Sequence, residues 1–154
     1  MYKRIILTII LTTFSLIGFS QQIKKVDGFF LDEKGQKYNG ELTSFFEDGS
    51  KEFVYEIKDG VEDGKVIFYH KNGKIMEEGF YKKGLKSGKW TKWGEEGNKL
   101  AEANYNEGVK HGSWLVWDEN GVNRYEMEYN NGKRTGTWVN RNEAGEVVSN
   151  KTYK

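Results

Sequence analysis

Apolar and aromatic residues in this chain alternate with polar ones over short runs, and each run is bounded by glycine. Gly88-Lys89-Trp90-Thr91-Lys92-Trp93 is one such run. The triplet Glu95-Glu96-Gly97 follows it, then Lys99 to Tyr105, then Asn106-Glu107-Gly108 opening a turn that ends near Gly112. Alternation with a period of two is the pattern of a strand whose two sides meet different surroundings. Glycine supplies the positive φ that tight hairpin turns require, and the flanking Asn, Asp and Glu suit the same turns. No stretch sustains the 3.6-residue period of a helix, and glycine recurs too often to allow one.

The runs themselves repeat every 24 residues. Gly60, Gly84, Gly108 and Gly132 form one column; Gly40, Gly64, Gly88, Gly112 and Gly136 a second; Gly49, Gly73, Gly97, Gly121 and Gly145 a third. Trp90, Trp114 and Trp138 share a column with Leu42 and Val66. Phe45, Tyr69, Trp93 and Trp117 share another, as do Tyr81, Tyr105, Tyr129 and Tyr153, with Ile57 preceding them. The units run over about 33–56, 57–80, 81–104, 105–128 and 129–153. In the first, Gln36 stands at the first glycine position beside Gly35, and in the last, Arg141 replaces the second aromatic. Atypical terminal units are what a stacked array needs at its ends.

Two strands and two turns per unit predict ten strands in an all-β fold: an elongated, twisted, single-layer antiparallel meander of tandem hairpins, advancing roughly 9–10 Å per repeat. No second layer is visible in the sequence, so the aromatic columns must shield the sheet by stacking on one another. Trp90 and Trp93 are three positions apart. Strict alternation puts them on opposite faces, whereas a bulge would bring them together.

The first twenty residues read differently. Lys3 and Arg4 precede a mainly apolar run from Ile5 to Phe19, and Gly18-Phe19-Ser20 offers small residues where a signal peptidase reads them. This is the pattern of a secretory signal. The alternative is a retained membrane anchor, for which the run is short against the roughly 20 residues a bilayer needs. Cleavage after Ser20 would leave a chain starting at Gln21, with residues 21–32 as a lead-in or cap and 33–154 as five repeats. Loss of Lys3 and Arg4 takes the formal charge from +1 to −1. An exported protein of the periplasm, cell envelope or exterior is expected. The near-neutral balance gives no reason to expect a nucleic-acid partner.

Candidate chemistry is sparse. There is no cysteine, which removes disulfides, thiolate metal sites, a cysteine nucleophile and a lipidated N-terminal cysteine. His70 and His111 sit in turns of different type, and neither has a histidine in register. Asp32, Asp48, Asp59, Asp63 and Asp118 are scattered among turns and do not make the dense acidic loop of a calcium site. Glu78, Glu102 and Glu126 are periodic, as expected of structural acids paired across strands with a lysine such as Lys92. These readings predict no catalytic residues, cofactor or metal. Two surfaces remain. Lys86, Lys110 and Arg134, with Lys133 adjacent, are expected along one rim of the ribbon as an anion or partner edge. Glu47, Asp48, Glu95, Glu96, Glu119 and Glu143 are expected along the other. Stacking within the fold is the default account of Trp90, Trp93, Trp114, Trp117 and Trp138, and where partly exposed they form a candidate aromatic surface for a glycan or extended peptide. The open sheet ends could accept an added strand from a partner or a second copy.

The pattern carried by Tyr81, Gly84, Gly88, Trp90, Trp93, Gly97 and Glu102, and again by Tyr105, Gly108, Gly112, Trp114, Trp117, Gly121 and Glu126, resembles the MORN repeat. It is most similar to the bacterial MORN variant often described as a YwqK-type antitoxin family. The likeness covers about 33–153. It implies a non-enzymatic scaffold that binds proteins or, in some members, acidic lipids. An antitoxin to a cytosolic toxin should not carry a secretory signal, so an exported immunity-like binding protein is the form that label would take here.

Overall fold

A computed structural model describes residues 22–154. The expected signal segment, residues 1–20, lies outside the described residues. Those described form twelve strands and no helix: β1 Lys24–Val26, β2 Phe29–Leu31, β3 Gly40–Phe45, β4 Lys51–Lys58, β5 Val61–Tyr69, β6 Ile75–Lys82, β7 Leu85–Trp93, β8 Lys99–Asn106, β9 Val109–Trp117, β10 Asn123–Asn130, β11 Lys133–Arg141 and β12 Val147–Tyr153. Strands β3 to β12 make one antiparallel sheet in strict chain order. It is a run of consecutive hairpins and does not close into a barrel. This is the single-layer meander that the 24-residue period predicts.

Two kinds of turn alternate along it. Asp59-Gly60, Lys83-Gly84, Glu107-Gly108 and Asn131-Gly132 are two-residue turns with positive φ at both positions, +50° and +78° in the first. That is type I′ geometry, whose twist matches that of the flanking strands. Each turn glycine donates its N–H back to the preceding unit: Gly84 to the Glu62 carbonyl, Gly108 to Lys86 and Gly132 to Lys110. The other turns are five-residue loops such as Gly94 to Asn98, with Gly97 at φ +91°. In each, the first residue's N–H donates to the carbonyl of the fifth.

The remaining glycine column corrects one expectation. The turn predicted from Asn106 to Gly112 is only Glu107-Gly108, because Asn106 already pairs with Val109. Gly112 lies inside β9. Its counterpart Gly88 shows why: Glu78 pairs with Thr91 and Phe80 with Ser87, so Gly88, Lys89 and Trp90 face the single residue Gly79. The same slip recurs at β4–β5, β8–β9 and β10–β11. These glycines form a repeated bulge, which bends a strand and increases its local twist.

The N-terminal end also departs from expectation. Within the stretch expected as a lead-in or cap, residues 24–31 form a small hairpin, β1–β2, built on Asp27-Gly28. Gly35 belongs to a five-residue loop, Asp32 to Gln36, so it is no degenerate copy of the two-residue turns. The hairpin braces the first unit. Phe30 is buried, its N–H donates to the Gly60 carbonyl, and Lys25 pairs with Glu62 at 2.8 Å.

Candidate functional site

The two faces of the sheet are built differently, and Trp90 and Trp93 mark the difference. No residue is inserted into β7 between them, so alternation holds and they point to opposite sides. Trp90 belongs to a ladder of edge-on and tilted rings running through Tyr55, Tyr81, Trp90, Tyr105, Trp114, Tyr129, Trp138 and Tyr153. Neighbouring centroids are 5.1–6.3 Å apart. The indole N–H groups of Trp90, Trp114 and Trp138 donate to the carbonyls of Phe80, Asn104 and Glu128 beside the bulges. Burial, and then the neighbouring Glu62 and Glu77 charges, push the Tyr81 phenol up, so it stays a neutral member of the ladder.

The candidate basic residues belong to this face. Lys86, Lys110 and Arg134 are the second residues of β7, β9 and β11, and each lies over a ladder tryptophan, at 3.6, 4.2 and 4.7 Å from the ring centroid. Each also reaches the next tyrosine. They lie across the ladder, Lys86 half-buried and Lys110 and Arg134 exposed. The rim itself carries Asp59, Lys83, Glu107 and Asn131 in its turns, so it is mixed in charge. Lys86 is further tied to Glu77 at 3.4 Å, and Lys133 is exposed. The acidic residues Glu47, Asp48, Glu95, Glu96, Glu119 and Glu143 are exposed in the five-residue loops of the other rim. Of the candidate aromatic surface, Trp90 is only 2% exposed, and Trp90, Trp114 and Trp138 are committed to the ladder.

Trp93 and Trp117 lie on the opposite face with Thr91, Glu78 and Glu102. Thr91 stands directly across from Glu78 on β6 and Glu102 on β8. The glutamate column is paired as a structural column should be, though through other lysines than Lys92, which lies opposite Glu77. Lys65 meets Glu78 at 3.1 Å, Lys89 and Lys99 meet Glu102 at 2.9 and 2.6 Å, and Arg141 meets Glu126 at 2.8 Å. Hydrogen bonds from Lys99 and then Lys89 hold the Glu102 carboxyl below the usual carboxylate range. Between these pairs runs a groove of 410 Å³ lined by Trp93, Thr91, Phe80 and the charged residues of the two pairs around Glu78 and Glu102. Sequence reasoning named Trp93 and the glutamates but missed Thr91, Phe80, Lys65, Lys89 and Lys99. The signal for Thr91 was a hydroxyl in a column otherwise held by Ile67, Leu115 and Val139 in the inner and last units.

The histidines are braces. His111 Nδ1 accepts from the Asn131 N–H at 3.4 Å, in the position where Asn39 and Asp63 serve the turns at Asp59 and Lys83. His70 Nε2 lies 3.0 Å from the Trp93 carbonyl. Among the described residues no group of His, Asp and Glu is arranged to hold a metal ion.

Residues 62–83 and 110–131 match the profile of the MORN repeat variant. The two stretches lie two periods apart, and each is a strand pair about one two-strand hairpin, β5–β6 and β9–β10. No curated protein matches the chain. MORN repeats are commonly protein-binding or membrane-binding scaffold motifs. Neither match bears on an antitoxin.

Proposed function

We propose that this protein is an exported, non-catalytic scaffold whose partner is a protein, engaged by addition of a strand at the C-terminal end of the array. The observation that carries this reading is β12. It is the terminal strand of the sheet, its residues are exposed from Val147 to Thr152, and Val147 and Val148 are 54% and 57% exposed. The outer side of such a strand is a row of unpaired backbone donors and acceptors that another strand can meet. At the other end β3 is also paired on one side only, and the β1–β2 hairpin is attached beside it through Tyr38, the Gly60 turn and Glu62. Support for a non-catalytic role comes from use: both histidines and the periodic acids have assignments within the repeat.

Binding of anionic lipid through Lys86, Lys110 and Arg134 is the weaker alternative, since each cation lies over a tryptophan. It would weaken steeply with salt. The test is crosslinking of the full chain in an envelope extract, comparing wild type with Val148→Pro and Ser149→Pro. Proline removes an N–H from the edge. Loss of a crosslinked protein in a variant that keeps its thermal midpoint supports the reading, and equal capture by both variants refutes it. Export is tested separately by sequencing the N-terminus of the processed protein, which should begin at Gln21.

A further inference from the structure

We propose that the Trp93 groove is a carbohydrate site that takes one hydroxyl-rich pyranose ring of a glycan, stacked on the Trp93 indole. The proposal is independent of what β12 binds.

Two polar groups at the groove have no partner within the fold. Two hydroxyl-bearing side chains are buried, Ser44 at 7% and Thr91 at 8% exposure. Ser44 donates to Glu52 at 2.7 Å. The Thr91 hydroxyl makes no hydrogen bond among the described residues, although it lines the groove. The Trp93 indole N–H likewise makes none, as is also true of Trp117 on the same face, whereas all three ladder tryptophans donate to carbonyls. No buried side-chain polar atom among the described residues lacks a partner, so these two groups are not sealed in the fold but open to solvent at the groove, where a ligand can reach them. A donor–acceptor hydroxyl and an indole N–H left open at one half-buried aromatic residue make a set that a polar ligand completes.

This step of the array also departs from the repeat. A column explained by packing keeps its residue type. At the Thr91 position the flanking units carry Ile67 and Leu115, and the lysine shared by Lys65 and Lys89 gives way to Ser113 in the next unit. In the first unit Thr43 does occur, but its hydroxyl is used on Glu41. The combination of tryptophan, free hydroxyl and lysine–glutamate walls therefore occurs at one step of the array.

The walls of the groove disfavour other ligands. Strands β6, β7 and β8 are each paired on both sides, so a peptide cannot be added there as a strand. An acyl chain would meet five charged side chains. A simple anion would compete with glutamates for lysines already held at 2.6–3.1 Å. A pyranose has an apolar C–H face for the indole and a rim of hydroxyls. Those hydroxyls can accept from lysine and donate to an ionised carboxylate, and Glu102 is held ionised. The volume falls in the range of small-ligand sites.

The test uses the full chain with soluble hexamers of glucose, of N-acetylglucosamine and of galacturonic acid, followed by calorimetry and tryptophan fluorescence. At least one hexamer should bind saturably. Trp93→Ala should weaken it at least about tenfold, by loss of the stacking platform. Thr91→Ile, which restores the neighbouring unit's residue, should weaken it about fivefold with an unchanged thermal midpoint. Phe45→Ala, the exposed aromatic of the same column on the distant strand β3, should change it less than about twofold. Absence of binding by wild type to all three hexamers would overturn the proposal. So would equal binding by Thr91→Ile and wild type, or a Trp93-dependent protein partner in place of any sugar.

Discussion

The two faces of this sheet share the same strands but make opposite use of their aromatic residues. On one, eight rings touch in sequence from Tyr55 to Tyr153, their indoles are hydrogen-bonded and three cations lie across them. That face stands in for the missing second layer, and the last three units repeat it with little change. On the other, Trp93 has no ring partner within the ladder, and its neighbours differ from unit to unit. The difference separates residues kept by packing from residues open to a partner, although both kinds occur in register.

Mutations should reveal this contrast first in stability. Trp90→Ala removes the most buried ring of the ladder and should cost about 3–5 kcal/mol in urea unfolding. Thr91→Val, the adjacent residue on the other face, should change stability by less than about 1 kcal/mol. Comparable losses at both positions would erase the distinction. The next largest effect belongs to Gly79. A Cβ there would lie 2.3 Å from the Trp90 ring, and the wide indole cannot retreat without leaving the ladder. Gly79→Ala should therefore cost about 1–3 kcal/mol, whereas Gly73→Ala, with open space around its Cβ site and only its positive φ to strain, should cost about 1 kcal/mol.

The period, the strand order and the absence of a helix were all legible in the residues, because glycine and aromatic columns report backbone geometry directly. The assignment of each glycine column was not. Gly84 makes a two-residue turn and Gly88 a bulge, yet both are glycines at positive φ four residues apart, and only the pairing of β6 with β7 separates them. Lys86 read as a rim residue because its distance from the turn was known and the bend beside it was not. The bulge next to it is what lets Lys86 lie over Trp90. For the groove, Trp93 was visible as a column member. Thr91 became informative only once its hydroxyl was seen without a partner.

Acid should test the groove face. The Glu102 carboxyl is held below its ordinary value of 4.5 by hydrogen bonds from Lys99 and Lys89. A depressed carboxylate contributes stability that is fully present above the unfolded-state value and is lost as pH falls through the folded-state value. Glu102→Gln should therefore be less stable than wild type at pH 7, by up to about 1 kcal/mol for pairs whose lysines are half-exposed. The gap should close as pH falls from 4.5 through the lower folded-state value. The difference between the two proteins is the quantity to follow, because Asp48, held low by the Ser50 hydroxyl, titrates in the same limb. A gap that persists unchanged at pH 2 would mean that the charge on Glu102 contributes nothing to the fold.

The smallest effect lies between two lysines that the sequence placed together. Lys110 lies 4.2 Å from the Trp114 centroid and 5.0 Å from that of Tyr129. Lys133 is exposed at the start of β11. If the basic column exists to cap the ladder, Lys110→Gln should cost about 0.5–1 kcal/mol, the size of a cation–π contact at an accessible site. Lys133→Gln should then be neutral within about 0.5 kcal/mol. Salt should leave most of the Lys110 effect in place, because the cation sits against the ring and not a Debye length away. Equal and salt-sensitive losses at both positions would instead mean a diffuse positive surface, and the column would return to the free anion-binding edge that its spacing first suggested.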